Sequence, residues 1–268
     1  ISMEINTIFN EDCLATMAKM PDNFVDLTVT SPPYDNLRDY KGYTFDFESI
    51  AKELFRVTKQ GGVVVWVVGD STDNGTESGT SFRQALYFKD IGFNLFDTMI
   101  YSRTTPYPAN VRYNQEFEYM FVLSKKIPKT FNPLKTRKTT NVNRKDSNTF
   151  RQKDGSLQRP SKNMMDRFKK AMEIEEKVMG NIWYIPAGWM KGSMDKIAFA
   201  HPATFPAELV TRHIHSWSNK EDLVYDPFMG SGTTAKMAKL LNRNYIGSEI
   251  SSEYCEIIRK RLSQQVLL

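Results

Sequence analysis

The sequence predicts an α/β fold: a mostly parallel, seven-stranded sheet with helices on both faces, interrupted by one basic insertion. Three observations predict it. Short runs rich in β-branched and aromatic residues alternate with segments of helical spacing, as expected of βα units. Two of those runs end in turns built from Pro-Pro or Gly-x-Gly, where a strand would hand over to a ligand-binding loop or helix. The alternation then stops over one long stretch in which Lys, Arg, Asn, Thr and Ser dominate.

Taken in order, the expected strands are 5–10, 25–30, 63–68, 97–102, 117–123, 223–225 and 244–249. Between them, 47–57 places Ile50, Leu54 and Phe55 at helical spacing, and Gly61-Gly62 follows as a helix stop and tight turn. Helices are also expected at 81–89, 233–241 and 252–264, the last capped by Ser251 or Ser252. Asn181, Ile182, Trp183 and Trp189 read as packing residues where the insertion rejoins the sheet. Within the insertion, 166–178 reads as a charged helix. The domain division is 1–127 and 181–268, two halves of one domain, with 128–180 a basic insertion between them.

With 268 residues, 40% hydrophobic and 25% charged, the chain has the composition of a globular protein, not of a disordered or fibrous one. The longest apolar run, 63–68, falls far short of the roughly 20 residues of a membrane-spanning helix. The first ten residues include Glu4, Asn6 and Asn10 and lack a secretory pattern; Met3 reads as the natural start. Cys13 and Cys255 have no CxxC or Cys/His companion, so neither a disulfide framework nor a metal site is expected, and a cytoplasmic location is. The net charge of +5 is unevenly spread: residues 125–170 hold 15 basic and 3 acidic side chains, leaving about −7 for the remainder.

Thr30-Ser31-Pro32-Pro33-Tyr34 follows the run 25–30 directly. Two prolines fix φ and remove two amide donors, which leaves carbonyl acceptors at the strand end, and Tyr34 offers a flat face to a planar base. The same residues also make a rigid strand-to-loop turn. Asp226-Pro227-Phe228-Met229-Gly230-Ser231-Gly232-Thr233-Thr234 follows 223–225 and opens a helix. Its glycines admit positive φ and close backbone approach, and the helix start presents free amides. No Lys follows the second glycine, so this is not a triphosphate cradle. Glu249, nineteen positions after Gly230, ends the next strand, where a carboxylate can accept ribose hydroxyls.

These residues resemble the DNA amino-methyltransferases that use S-adenosyl-L-methionine, in the β arrangement where the catalytic motif precedes the cofactor motif. The resemblance rests on Asn10-Glu11-Asp12-Cys13, on Ser31-Pro32-Pro33-Tyr34, on His201 to Pro206, on Phe228 to Gly232, and on Glu249. It implies a Rossmann-like methyltransferase fold with a circularly permuted motif order. It implies catalytic roles for Ser31, Pro32, Pro33 and Tyr34, and cofactor contacts at Asp12, Cys13, His201, Phe205, Asp226, Phe228, Gly230, Ser231, Gly232, Thr233 and Glu249. His201 reads equally as a turn residue, Phe205 as core, and Asp226 as a turn residue before Pro227. The permuted order would bring Asp12, Ser31, Asp226 and Glu249 to one carboxyl edge of the sheet.

Methylation of a pyrimidine carbon needs a cysteine nucleophile, which the family concerned carries after a proline. Here Cys13 follows Asp12 and Cys255 follows Tyr254. An exocyclic amine needs none: the Pro32 carbonyl and the Ser31 hydroxyl accept its hydrogens while Tyr34 stacks on the flipped base. Within the family the chain resembles, Ser in the first motif position accompanies N4 of cytosine, which is the target the resemblance implies, with N6 of adenine the alternative and a non-catalytic nucleic-acid binder of the same fold the remote one. The expected partner is double-stranded DNA, whose phosphates Lys135, Arg137, Lys138, Arg144, Lys145, Arg151, Lys153 and Arg159 could neutralise, which would place the protein at the nucleoid. The same run also reads as a solvated linker. The family leaves room for a cognate restriction endonuclease and for a homodimer.

Overall fold

The structure is a computed structural model that describes residues 3–33, 45–103, 112–138, 149–186 and 205–264. The chain divides into two compact units, Ile1–Asn132 with Asn181–Leu268, and Pro133–Gly180. Among the described residues no helix is long and apolar enough to cross a membrane.

Among the described residues the first unit is built on one sheet of eight strands: β1 (Thr7–Phe9), β2 (Val25–Thr30), β3 (Thr58–Val68), β4 (Asn94–Ser102), β5 (Phe117–Ser124), β6 (Ile182–Tyr184), β7 (Leu223–Asp226) and β8 (Asn244–Ser248). Their order across the sheet is β1-β8-β7-β2-β3-β5-β4-β6. Only β5 runs against the others, pairing antiparallel with β3 on one side and β4 on the other. The parallel pairing of β1 with β8, Thr7 opposite Ile246, joins segments from opposite ends of the sequence. Residues 63–68 of β3 are all buried, as expected of a central strand covered on both faces. Val64, Trp66 and Val68 point into an aromatic-rich core with Ile50, Leu54 and Phe88, and the alternate residues Val63, Val65 and Val67 face the other side.

The helices of this unit are α1 (Cys13–Lys19), α2 (Phe47–Val57) and α3 (Thr80–Asp90), then α5 (Ala207–Trp217), α6 (Thr233–Leu240) and α7 (Ser252–Ser263). Side chains cap three of them: Asp12 accepts from the Leu14 amide at 2.7 Å, Asp46 from Ser49 at 3.2 Å, and Ser251 from Tyr254 at 3.3 Å. Helix α5 lies on β2 and β3, and α6 on β7 and β8.

Three expectations need correction. Gly61-Gly62 does not end α2: the helix stops at Val57, where the Thr58 hydroxyl donates to the Leu54 carbonyl at 2.6 Å, and β3 begins at once. The glycines sit inside β3, beside a register shift against β2. Gly61 has φ +80°, and a Cβ there would lie 2.9 Å from Lys129 Cβ, so the position admits only a bare backbone. Among the described residues the sheet has eight strands instead of seven, because Ile182–Tyr184 pairs in parallel with β4 and buries Trp183 against the His213 ring. Three residues are too few to show a period. Trp189 lies outside the described residues.

The third correction concerns the second unit, which holds α4 (Lys162–Glu173) and two short antiparallel pairs, Lys135–Arg137 with Glu176–Val178 and Phe150–Arg151 with Leu157–Gln158. The helix starts before 166 because Ser161 caps it through the Met164 amide at 3.4 Å. It ends at Glu173, and Glu176–Val178 is strand, not helix.

Candidate active site

Four adjacent parallel strands, β1, β8, β7 and β2, deliver their carboxyl ends to one edge. Asp12, Glu249, Asp226 and Ser31 therefore follow one another along that edge, although they are far apart in sequence.

Asp226 is the buried centre of this arrangement. Its Oδ1 accepts from the Thr30 hydroxyl at 2.6 Å and from the Phe228 amide at 3.0 Å, and its Oδ2 accepts from the Thr234 hydroxyl at 2.7 Å. Thr30 directly precedes Ser31, and Thr234 lies in the first turn of α6. One carboxylate thus fixes the Ser-Pro-Pro segment relative to the glycine loop. Burial pushes the Asp226 carboxyl up to about 6, outweighing the three hydrogen bonds, which act to lower it.

Glu249 is 9% exposed. One of its oxygens accepts from the Gly230 amide at 2.8 Å and the other from the Ser251 amide at 2.9 Å, and burial raises its pKa. Asn10 Nδ2 donates to the Glu249 carbonyl at 2.9 Å and to that of Ile250 at 3.0 Å, fastening the end of β1 to the end of β8.

The glycine loop is held from behind. Gly230 and Gly232 take φ +54° and +83°, and a Cβ on Gly232 would sit 2.8 Å from Ile258 of α7. Arg261, also from α7 and buried, donates to the Ser231 carbonyl, to the Ser231 hydroxyl at 3.0 Å and to the Thr233 hydroxyl at 3.3 Å. Met229 packs over Gly247, where any Cβ would fall 2.2 Å from its methyl carbon. Phe228 meets Phe45 edge-to-face at 5.7 Å and Trp66 at 6.3 Å between centroids.

Of the expected site residues, Ser31 and Pro33 are half-buried and Pro32 is buried at the end of β2. Asp12 caps α1, and the Cys13 side chain lies in the core at 2% exposure. Phe205 is half-buried just before α5. Tyr34, His201, Arg144 and Lys145 lie outside the described residues. In the second unit Lys135 pairs loosely with Glu176 at 3.9 Å, Lys138 is half-buried, and Arg137, Arg151, Lys153 and Arg159 are exposed.

Sequence reasoning placed Thr30 and Thr234 inside its two motif segments without giving them a role, and it missed Arg261. The two threonines adjoin motif residues, which is their only signal; Arg261 carries none, being one of several basic residues on a terminal helix. It also counted Lys125 toward the basic run. That ammonium is instead spent inside the fold, donating to the Phe55 carbonyl at 2.7 Å, the Thr58 carbonyl at 3.0 Å and Asn23 Oδ1 at 3.1 Å, 4.6 Å from the Phe55 ring centre.

The sequence pattern of the DNA methylase family matches residues 25–260. The orphan methyltransferase M.BamHII of Bacillus amyloliquefaciens is 56% identical over 251 residues, covering 92% of each chain. The PvuII DNA methyltransferase, cytosine-N4-specific, matches in three dimensions with a TM-score of 0.71 at 20% identity, over 100% of this chain and 89% of that one. A structure of TTHA0409 from Thermus thermophilus, complexed with S-adenosyl-L-methionine, matches with a TM-score of 0.63 at 23% identity, over 96% of this chain and 92% of that one. The fold is that of a Rossmann-like methyltransferase.

Proposed function

The chain belongs to the DNA methylase family of N6 and N4 methyltransferases, and we propose that it methylates the exocyclic N4 of cytosine at a specific sequence in double-stranded DNA, with the base flipped from the helix. S-adenosyl-L-methionine, when bound, supplies the activated methyl group.

The acceptors and backbone at the sheet edge fit that cofactor. Each Glu249 oxygen takes one backbone amide and keeps a lone pair for a ribose hydroxyl. The two left-handed glycines turn the chain sharply into α6, whose first amides have no partner within the helix. Ser231 and Thr233 line this turn, with Phe228 beside it. Asp12, Cys13, His201 and Phe205 are assigned to the same pocket by resemblance alone.

The observation that carries the reading is the Thr30–Asp226–Thr234 bridge, which holds the Ser31-Pro32 acceptors in fixed relation to the cofactor loop. Ser31 Oγ and the Pro32 carbonyl accept the hydrogens of the target amine, drawing the nitrogen toward tetrahedral geometry and stabilising the positive charge it gains. Pro33 stiffens the turn and Tyr34 stacks on the base. A covalent route through carbon has no nucleophile to use: Cys13 and Cys255 are both buried, and burial raises the Cys255 thiol further. Ser31, a neutral group that can donate as well as accept, suits the neighbouring N3 of cytosine. Adenine N1 accepts the same bond, which keeps adenine N6 as the second reading. A binder that had lost turnover would have no use for the intact loop and Glu249.

The test is expression in a methylation-free host, followed by digestion of the DNA and mass spectrometry of the nucleosides. N4-methylcytosine is the expected product. N6-methyladenine would keep the mechanism and change the base, and the absence of both products would overturn the assignment.

A further inference from the structure

The second unit contains an exposed two-stranded ribbon whose faces differ chemically. Its register sets Leu157 opposite Arg151 and Gln158 opposite Phe150. Side chains alternate along each strand, so Gln152 and Gln158 share one face while Arg151, Leu157 and Arg159 share the other. The tip is firmly made. Gln152 N donates to the Ser156 carbonyl at 2.8 Å, Gly155 takes φ +86°, and Asp154 accepts from the Ser156 amide at 2.9 Å and its hydroxyl at 2.7 Å. Asp154, the one acid of the ribbon, is thereby tied to its own turn, and Arg151, Lys153 and Arg159 leave residues 150–159 with a charge of +2.

The two glutamines are joined: the Gln152 amide nitrogen donates to the Gln158 side-chain carbonyl. That bond leaves the Gln152 carbonyl as an acceptor and the Gln158 amino group as a donor, on one face of the ribbon. The major-groove edge of adenine offers the complement, the N6 amino donor beside the N7 acceptor. Guanine offers two acceptors there and cytosine a donor alone. A two-stranded ribbon is also narrow enough to enter that groove, and flanking arginines can reach phosphates on either side.

We propose that the ribbon 150–159 is the element that enters the major groove, and that the Gln152–Gln158 pair reads an adenine of the recognition sequence. This rests on the reading of the chain as a sequence-specific DNA methyltransferase. It adds a requirement for an A·T pair outside the flipped base, and it names the side chains that impose it.

The recognition sequence is first mapped by modification-sensitive sequencing of genomic DNA from the methylation-free host expressing the wild-type chain. Fluorescent duplexes carrying that sequence, or the same sequence with each A·T pair replaced in turn by G·C, are then titrated with wild type, Gln152→Ala and Gln158→Ala. At one A·T position the wild type loses affinity on the order of ten- to a hundredfold on replacement, and both variants lose most of that discrimination while keeping the target base. Binding is the readout, so a variant of low turnover still decides the matter. Circular dichroism checks that the substitutions, at half-buried Gln152 and exposed Gln158, leave the fold intact. Unchanged discrimination in both variants overturns the proposal, as does a wild type indifferent to every A·T replacement. A wild type that methylates no DNA fails the functional reading itself, a separate outcome.

Discussion

Thr30 donates its hydroxyl to Asp226 at 2.6 Å across 196 residues of sequence, and this contact turns two separate motifs into one edge. Its partner is an unusual carboxyl. Asp226 is 2% exposed, and burial holds it near pH 6 against an ordinary value of 3.8. Between those two values the unfolded chain has released its proton while the folded chain still holds it, so stability falls as pH rises through that window. The loss is about 3 kcal/mol, complete above pH 6. In Asp226→Asn this contribution is missing. Chemical denaturation of both proteins at pH 4 and pH 7 should show wild-type stability falling relative to the variant; parallel behaviour would mean that the carboxyl is not perturbed.

The glycine loop leaves no room for a methyl group at its second glycine. Gly232→Ala combines left-handed strain with an approach of 2.8 Å to Ile258, and a loss of about 2 kcal/mol or more is expected. Adding Ile258→Ala should relieve the clash but not the strain. A double-mutant cycle by urea denaturation would then give a coupling of about 1 kcal/mol; strict additivity would mean that the helix and the loop do not touch.

Ser31 acts on the reacting nitrogen in the proposed mechanism, not on the cofactor. Ser31→Ala should lower the single-turnover rate by about 10²- to 10³-fold, while S-adenosyl-L-methionine affinity, followed by calorimetry, stays essentially unchanged. An unaltered rate would remove Ser31 from the chemistry.

Two groups of basic residues should respond differently to salt. Reversing the charge of Arg151, Lys153 and Arg159 should lower the slope of log affinity for DNA against log salt by about 3, near 0.9 for each phosphate no longer neutralised. Lys125→Met should leave that slope alone and cost about 3 kcal/mol of stability, because the Phe55 and Thr58 carbonyls are deprived of their buried donor. Fluorescence anisotropy at salt concentrations from roughly 50 to 200 mM would separate the two.

What the sequence disclosed tracks how local the cause is. Residues 63–68 announce a buried central strand because one side chain after another is apolar, and Gly230, Gly232 and Glu249 announce a nucleotide-type turn because the geometry requires those residue types at that spacing. Gly61-Gly62 misleads because a glycine needed for close approach to Lys129, 68 residues away, looks the same as one that stops a helix. Arg261 and Lys125 are invisible for a related reason. Their partners are carbonyls and hydroxyls far along the chain, and such acceptors leave no mark on composition or period. Strand β6 escapes because three residues, two of them exposed, gain their strand character only from β4 alongside.

The pairing of Thr7–Phe9 with Asn244–Ser248 sets the order in which the molecule can be finished. On the ribosome, β2, β3, β4 and β5 can assemble while synthesis is still in progress, since all have been made by residue 124. The edge strand β1 must wait for β8, more than 230 residues later, and the loop it helps to frame must wait longer still, for Arg261. Closing so long a loop is an entropic cost met late, after most of the sheet is in place. A nascent chain therefore presents its Ser-Pro-Pro segment well before it has a completed cofactor pocket beside it, and the capacity to modify DNA arises only in its final stage of folding.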